Sequence, residues 1–460
     1  MIKIKTRRDQ KIALFGLGTS GLITARALSA SGNEIFAWDD DPIQRKKAKQ
    51  QNIILEDLYI SDFANFDALV LAPGVPFTHQ PHAIAKKALL AKTQIIGDVE
   101  LLIETLPETK FIGITGTNGK STTTALVGHM LKKAGIKRQI GGNLGPPALS
   151  LREPVDGEII VLEVSSYQLD LTKNASFDIA AFLNLSSDHL DRHGDINNYF
   201  KAKSQIFRHC QNSKKRQIAI IGIDDEFGRS LHNEISINPL WQSYPISTSE
   251  KLEDGFYVTD EKIYDMSGLA ICDLRKAKNL LGIHNWQNAL AAAAIGYALE
   301  IDREIIAESI MSFHGLPHRM ERVGTINGIT FVNDSKATNL EASERALACY
   351  KNIFWIAGGR SKGLDRGGLA NCLSNIHHVF LIGESSVEFE KHIHNKVKTT
   401  LCGNLRTAIQ EAYNAALVCK NLSPTVLLSP ACASFDQWKN YEARGDAFRQ
   451  FITSLRGCVE

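Results

Sequence analysis

Residues 111–123, Phe-Ile-Gly-Ile-Thr-Gly-Thr-Asn-Gly-Lys-Ser-Thr-Thr, constrain this chain more than any other stretch. Phe111 to Thr115 reads as a buried strand, and Lys120-Ser121-Thr122 opens a helix. The stretch runs through three glycines at three-residue spacing, Gly113, Gly116 and Gly119, of which Gly113 and Gly116 are expected to carry the turn. Glycine lets a backbone curl until several N–H groups face one anion, because no Cβ blocks the turn. The helix N-terminus adds unpaired N–H groups and the positive end of its dipole. A lysine there reaches the outer phosphates of a nucleotide, and a serine hydroxyl can ligate Mg²⁺. The stretch predicts a cradle for a nucleoside triphosphate within an α/β fold. An ordinary strand–turn–helix is the plainer alternative, but it leaves the order of strand, glycines, Lys-Ser and helix to chance.

At 460 residues the chain is too long for one hydrophobic core, and size alone predicts roughly two to four domains. Apolar residues make up 44% and charged residues 22%, so disorder is not the starting reading. A net charge of +2 offers no strong field to nucleic acid or an anionic membrane. The longest apolar run, Ala289 to Leu299, is too short to span a bilayer. The basic start (Lys3, Lys5, Arg7, Arg8) leads into a short strand and does not read as a secretory signal. Eight cysteines include no Cys-x-x-Cys pair, which argues against structural zinc and a disulfide scaffold. A reduced, cytoplasmic protein is expected.

A second glycine motif lies near the start. The strand Lys11 to Phe15 runs into Gly16-Leu17-Gly18-Thr19-Ser20-Gly21, then a helix from about Leu22, a strand from Glu34 to Trp38, and Asp39-Asp40-Asp41. This satisfies the dinucleotide fingerprint. The residues alone leave NAD open against a plain βα turn whose helix N-terminus takes another diphosphate, such as that of UDP, or nothing. Further strands at Ala68–Leu71 and Gln94–Ile96 complete a small doubly wound sheet ending near Gly97.

In the middle of the chain, the apolar run Glu158 to Val164 reads as a buried parallel strand, with Glu163 as its polar exception. A carboxylate at that strand end lies where an α/β sheet places its ligands, so Glu163 is a candidate Mg²⁺ ligand. The strand Ile179–Leu185 ends in Ser186-Ser187-Asp188-His189, which makes His189 a candidate for a second metal. Spacing gives Lys203 no role beyond a solvated helix face. Residues 216–280 read as sheet and loops, and His284 to Leu299 as an Ala-rich helix. After a break at Gly315–Arg319, four more strands end in polar loops. These include Asn333-Asp334-Ser335-Lys336-Ala337-Thr338-Asn339, Gly358 to Gly363, and Ser429-Pro430-Ala431-Cys432-Ala433-Ser434-Phe435-Asp436. Polar loops gathered at one sheet edge predict a ligand crevice.

Together these pieces resemble the Mur ligases of peptidoglycan synthesis over essentially the whole chain. The phosphate loop, in the form Gly-x-x-Gly-x-x-Gly-Lys-Ser-Thr, is shared with folylpolyglutamate synthases, which lack such an N-terminal domain. The 333–339 and 429–441 motifs are more specific and point to the D-glutamate-adding branch. The resemblance implies three domains: 1–98, Rossmann-like and UDP-binding; 99–316, a P-loop ATPase; and 317–460, Rossmann-like and amino-acid-binding. It implies a ligase that uses ATP and two Mg²⁺ to join D-glutamate to UDP-N-acetylmuramoyl-L-alanine, acting as a monomer. Lys120, Glu163, His189 and Lys203 would be catalytic, with Ser121, Glu163, His189 and a carbamylated Lys203 around the metals. Gly116, Thr117, Asn118, Gly119, Lys120, Ser121, Thr122, Asn288, Arg319 and Asp334 would hold ATP. Thr19, Ser20, Gly21, Asp39, Asp40 and Asn143 would hold the UDP substrate, which moves the first glycine motif from NAD to UDP. Lys336, Thr338, Lys362, Ser434, Phe435 and Tyr441 would hold D-glutamate.

Overall fold

Short apolar strands alternate with helices, and among the described residues the strands assemble into three sheets. The structure is a computed structural model that describes residues 1–208, 216–361, 372–393, 396–419 and 422–457. The first sheet has the order β2-β1-β3-β4 and is wholly parallel: β1 Lys11–Phe15, β2 Glu34–Trp38, β3 Ala68–Leu71 and β4 Gln94–Ile96. The second has nine strands: β5 Lys110–Thr115, β6 Arg138–Gly142, β7 Ile159–Glu163, β8 Ile179–Phe182, β9 Gln217–Gly222, β10 Trp241–Ser247, β11 Phe256–Thr259, β12 Lys262–Tyr264 and β13 Ala270–Asp273. Their order is β13-β12-β11-β10-β9-β8-β5-β7-β6, parallel except for the antiparallel β11-β12-β13 edge. The third sheet comprises β14 Glu321–Ile326, β15 Ile329–Asn333, β16 Ile353–Gly358, β17 Ile376–Ile382, β18 Thr399–Gly403 and β19 Thr425–Leu428. It runs β14-β15-β19-β16-β17-β18, with only β14 antiparallel.

The α/β class follows from the strand sequences. β7 and β8 are apolar and buried along their length because helices cover both faces of a parallel sheet. Register then brings strand ends together. Ile114 pairs with Glu163, and Thr115 with Phe182, so the ends of β5, β7 and β8 form one edge.

By packing, the chain forms two compact units. One comprises Met1–Lys276 with Asn285–Ser312, and the other Ala277–His284 with Phe313–Glu460. The first unit contains two sheets, joined by polar as well as apolar contacts. Glu100, buried in the helix Asp98–Thr105, accepts the N–H groups of Lys173, Asn174 and Ala175 at 2.9–3.0 Å. Thr78 donates to Asp170 at 3.0 Å, and Arg192 donates to the Val75 carbonyl at 2.6 Å.

The structure adds elements that pattern reading missed. Residues 216–280 contain a helix, Glu226–Ser236, capped by Asp225 accepting from the Gly228 N–H. Its inner face comprises Phe227, Gly228, Leu231 and Ile235, which pack on the core. The first helix starts at Thr19 rather than about Leu22, inside the glycine motif. Edge strands β14 and β18 carry mostly half-exposed residues, so they lack the apolar signature of their neighbours.

Candidate active site

The phosphate loop connects β5 to the helix Lys120–Lys133. Gly119 has φ +86°, and a Cβ there would collide with Asn288 Oδ1. Gly116 has φ +152°. Gly113 does not carry the turn, contrary to expectation. It lies within β5, where its missing side chain makes room for the Phe177 ring; a Cβ would sit 2.6 Å from it. The loop is held from outside. Asn184 Oδ1 accepts from the Asn118 N–H at 3.0 Å, while its Nδ2 donates to Gln287 Oε1 at 2.7 Å. Thr117 Oγ1 accepts from the Ser186 N–H at 3.0 Å, and Thr123 donates to Asn288 Oδ1 at 3.3 Å. Lys120 Nζ lies over the loop, donating to the Gly116 and Thr117 carbonyls at 2.9 Å each. Ser121 is buried and Thr122 half-buried on the first helical turn.

Glu163 ends β7 beside this loop and is buried. Its Oε1 accepts from Asn143 Nδ2 at 2.7 Å, whereas Oε2 is buried with no hydrogen-bond partner. Lys203 is not on a solvated face. It is 1% exposed, and its Nζ donates to the Gly116 carbonyl at 2.7 Å. The helix Ile196–Ser204 points it inward at the strand edge, a direction that local spacing did not reveal. Burial first, and then the charge of Lys120, push the Lys203 ammonium well below its usual range. Lys203 Nζ lies 4.7 Å from the centre of the Tyr199 ring, whose other neighbours include His189 at 6.2 Å between ring centres. His189 is half-exposed, with φ +52°. Its Nδ1 shares a 2.9 Å hydrogen bond with the Tyr167 hydroxyl, and its Nε2 lies 3.4 Å from Asp188.

The first sheet presents a separate edge in the same unit. Gly16 has φ +98°, and Gly21 packs so closely on the Gly16 carbonyl that a side chain would not fit. Asp39 Oδ2 accepts from the Leu17 N–H at 2.5 Å, which draws the acidic strand end onto the glycine turn. Asp40 accepts from the Tyr59 hydroxyl at 2.9 Å. Thr19 is exposed, and Ser20 Oγ donates to Asp98 at 2.6 Å.

In the second unit the polar loops converge as well. Asp334 accepts from Ser429 Oγ at 2.8 Å and from the Met320 N–H at 3.1 Å, and burial raises its pKa to about 7. Lys336 Nζ lies 5.1 Å from the Tyr441 ring centre. Thr338 is half-buried, Ser434 is buried, and Phe435 is 62% exposed. Arg319 follows Leu316 in a tight turn, its N–H donating to that residue's carbonyl at 3.2 Å. Lys362 lies outside the described residues.

Two family models match these regions: "Mur ligase middle domain" over residues 114–296, and "Mur ligase, glutamate ligase domain" over 318–432. The chain is 42% identical to the UDP-N-acetylmuramoylalanine–D-glutamate ligase of Caulobacter vibrioides, covering 99% of this chain and 98% of that protein. It is equally identical to the ligase of that name from Nitrobacter hamburgensis, with 99% of each covered. The chain belongs to the Mur ligase family. Solved structures show the same fold at low identity. The alanine ligase MurC of Thermotoga maritima is 16% identical with a TM-score of 0.56, covering 97% of this chain and 99% of that one. The D-alanyl-D-alanyl ligase of Acinetobacter baumannii is 18% identical with a TM-score of 0.53, covering 84% and 85%.

In this Mur ligase, Lys120, Ser121, Glu163, Lys203 and Asn288 stand around one loop. Asn143 reaches Glu163 directly, a link its assignment to the nucleotide sugar did not anticipate. Asn288 belongs to the first unit, and Arg319 and Asp334 to the second. Sequence reasoning missed Asn184 and Gln287, which brace the loop, although Asn184, a polar residue just past the buried strand β8, carried the signal. It also missed Arg444, whose guanidinium donates to Ser335 Oγ at 3.0 Å, the Ser335 carbonyl at 2.9 Å and the Cys432 carbonyl at 3.1 Å. Arg444 thereby ties together the loops that carry Lys336 and Ser434.

Mg²⁺ fits Glu163, whose Oε2 is a buried oxygen lacking a partner. Among the described residues no three His, Cys, Asp or Glu side chains form a ready metal cluster. A Mg²⁺ that takes one carboxylate, a hydroxyl and phosphate oxygens needs none. His189 with Lys203 does not fit a second ion as it stands. Both His189 ring nitrogens have partners, and Lys203 presents N–H groups.

Proposed function

We propose that this Mur ligase joins the α-amino group of D-glutamate to the carboxylate of UDP-N-acetylmuramoyl-L-alanine, converting ATP to ADP and phosphate. The observation that carries the reading is full-length identity of 42% to ligases named for that reaction. Spans 1–98, 99–316 and 317–460 are assigned to the nucleotide sugar, ATP and the amino acid. The reaction is placed in the cytoplasm, with the enzyme as a monomer. No helix among the described residues is long and apolar enough to cross a membrane.

A carboxylate does not react with an amine at useful rates, because its oxygen is a poor leaving group. Its oxygen therefore first attacks the γ-phosphorus of ATP; ADP leaves, and an acyl phosphate remains. The amine nitrogen then attacks the acyl carbon, loses a proton, and phosphate departs. Gly116 to Gly119 and the N–H groups of the first helical turn cradle the phosphates. Lys120 moves from the loop carbonyls onto the transferred group and offsets its charge. Ser121 and Glu163 are the proposed Mg²⁺ ligands, and Asn143 orients Glu163. When bound, Mg²⁺ supplies positive charge to the phosphoryl oxygens. A second ion at His189 would require Lys203 as its carbamate. The low proton affinity of Lys203 supports that chemistry, since only a neutral amine adds to CO₂. Thr19, Ser20, Gly21, Asp39 and Asp40 hold the UDP group; Asn288, Arg319 and Asp334 hold ATP. Lys336, Thr338, Lys362, Ser434, Phe435 and Tyr441 surround D-glutamate, whose carboxylates call for charge-assisted hydrogen bonds.

Phosphate release from ATP, measured with UDP-N-acetylmuramoyl-L-alanine and each of D-glutamate, L-glutamate and L-alanine, tests the reading. Release that requires D-glutamate is expected. Release with another amino acid would keep the ligase chemistry and change the substrate, whereas no release with folded protein and Mg²⁺ would overturn the proposal.

A further inference from the structure

We infer that Asp98 is a positioning residue that sets Ser20 for the nucleotide-sugar ligand. The inference rests on the assignment of Ser20 to the nucleotide site. Asp98 opens the helix Asp98–Thr105 and is buried, 4% exposed. Its Oδ2 accepts the Ser20 hydroxyl at 2.6 Å, and its Oδ1 accepts the N–H of Val99 at 2.9 Å. The Asp98 carboxylate therefore ties the start of this helix to the Ser20 side chain on the glycine turn.

Burying a carboxylate is costly, and burial raises the Asp98 pKa. The helix N-terminus and the two donors offset the cost only in part. What the carboxylate provides is direction. It fixes the Ser20 rotamer by accepting the hydrogen bond that the hydroxyl donates. Phosphate oxygens are then left to the backbone N–H groups of the glycine turn, and Ser20 Oγ offers lone pairs to a donor on the ligand, such as a ribose hydroxyl or a ring N–H. A neutral apolar residue at position 98 would pack there but would not orient Ser20.

A double-mutant cycle on the full chain tests this, with Asp98→Asn, Ser20→Ala and the pair, at saturating ATP and D-glutamate. Asp98→Asn is expected to raise KM for the nucleotide-sugar substrate about tenfold, with kcat changed less than about twofold. Ser20→Ala should do the same, and the double variant should be no worse than the weaker single variant. Calorimetric binding of UDP alone should weaken in parallel. Additive effects, or a fall in kcat with KM unchanged, would overturn the inference. If Asp98→Asn does not fold, Ser20→Ala decides, because unchanged UDP binding there would leave Asp98 nothing to position and would overturn the inference. Wild-type protein that does not turn over the nucleotide sugar would instead defeat the proposed function, so the two failures are distinguishable.

Discussion

Lys120 and Lys203 donate to the same acceptor: the Gly116 carbonyl oxygen lies 2.9 Å from Lys120 Nζ and 2.7 Å from Lys203 Nζ. Two ammonium groups on one carbonyl repel, and the buried one gives up its proton more readily. Lys203 is that one, while Lys120 is only half-buried.

The Lys203 shift has a definite sign in stability. The unfolded chain keeps the lysine protonated up to about pH 10.4, whereas the folded chain releases that proton at lower pH. Between the two values the unfolded state binds more protons, so stability rises with pH. Lys203→Met removes this dependence. In CO₂-free buffer the stability of Lys203→Met relative to wild type should shrink as pH rises towards about 10.4, by at most about 1.4 kcal/mol per unit. Urea unfolding across that range is the measurement. A difference that does not vary with pH would mean that folded Lys203 keeps its charge.

Glu163→Gln keeps an oxygen for Asn143 and replaces the unpartnered carboxylate oxygen with an amide. The substitution should leave thermal stability unchanged or slightly higher, because an unpaired buried charge is removed. Phosphate release should fall about a hundredfold or more, with part of the loss recovered at high Mg²⁺. Full activity in a folded variant would exclude Glu163 as a metal ligand.

Two glycines of one motif should fail differently. Gly119→Ala forces a side chain against Asn288 at a left-handed backbone position, at a cost of about 1–3 kcal/mol locally. ATP affinity should drop sharply while the fold survives. Gly113→Ala presses on Phe177 inside the sheet, so it should destabilise the protein by about 1–3 kcal/mol. At temperatures where that variant is folded, its KM for ATP should match wild type. Melting curves paired with ATP titrations separate the two.

Arg444→Lys retains the charge but loses the fork that reaches both Ser335 and the Cys432 carbonyl. Each hydrogen bond to a charged group is worth about 1.5–3 kcal/mol. The variant should unfold at lower urea and show a raised KM for D-glutamate, with KM for the nucleotide sugar unchanged. Equal rises in both would argue against a local role at the loops carrying Lys336 and Ser434.

The glycine motifs and buried strands were legible because their causes are local. Glu163 stood out as the one acid in an apolar strand, and the phosphate loop as glycines between a strand and Lys-Ser. Lys203 was legible only through family resemblance. On its own helix it looks like any surface lysine, and only the packing of that helix against the β5 edge buries it. Arg444 was hidden for the same reason, since its partners Ser335 and Cys432 come from distant loops.

What the sequence by itself determined was the alternation of strand and helix, the α/β class and the phosphate cradle. These depend on near neighbours: backbone freedom at glycine, apolar continuity along a covered strand, and a polar residue at a strand end. Only the tertiary structure decided that Gly113 serves packing and Gly119 the loop, that Glu163 keeps one oxygen without a partner, and that Asp98 accepts the Ser20 hydroxyl. Each of those outcomes depends on residues far apart in the chain. Burial and hydrogen bonding between such groups are set by how sheets and helices pack, which no short window of sequence contains.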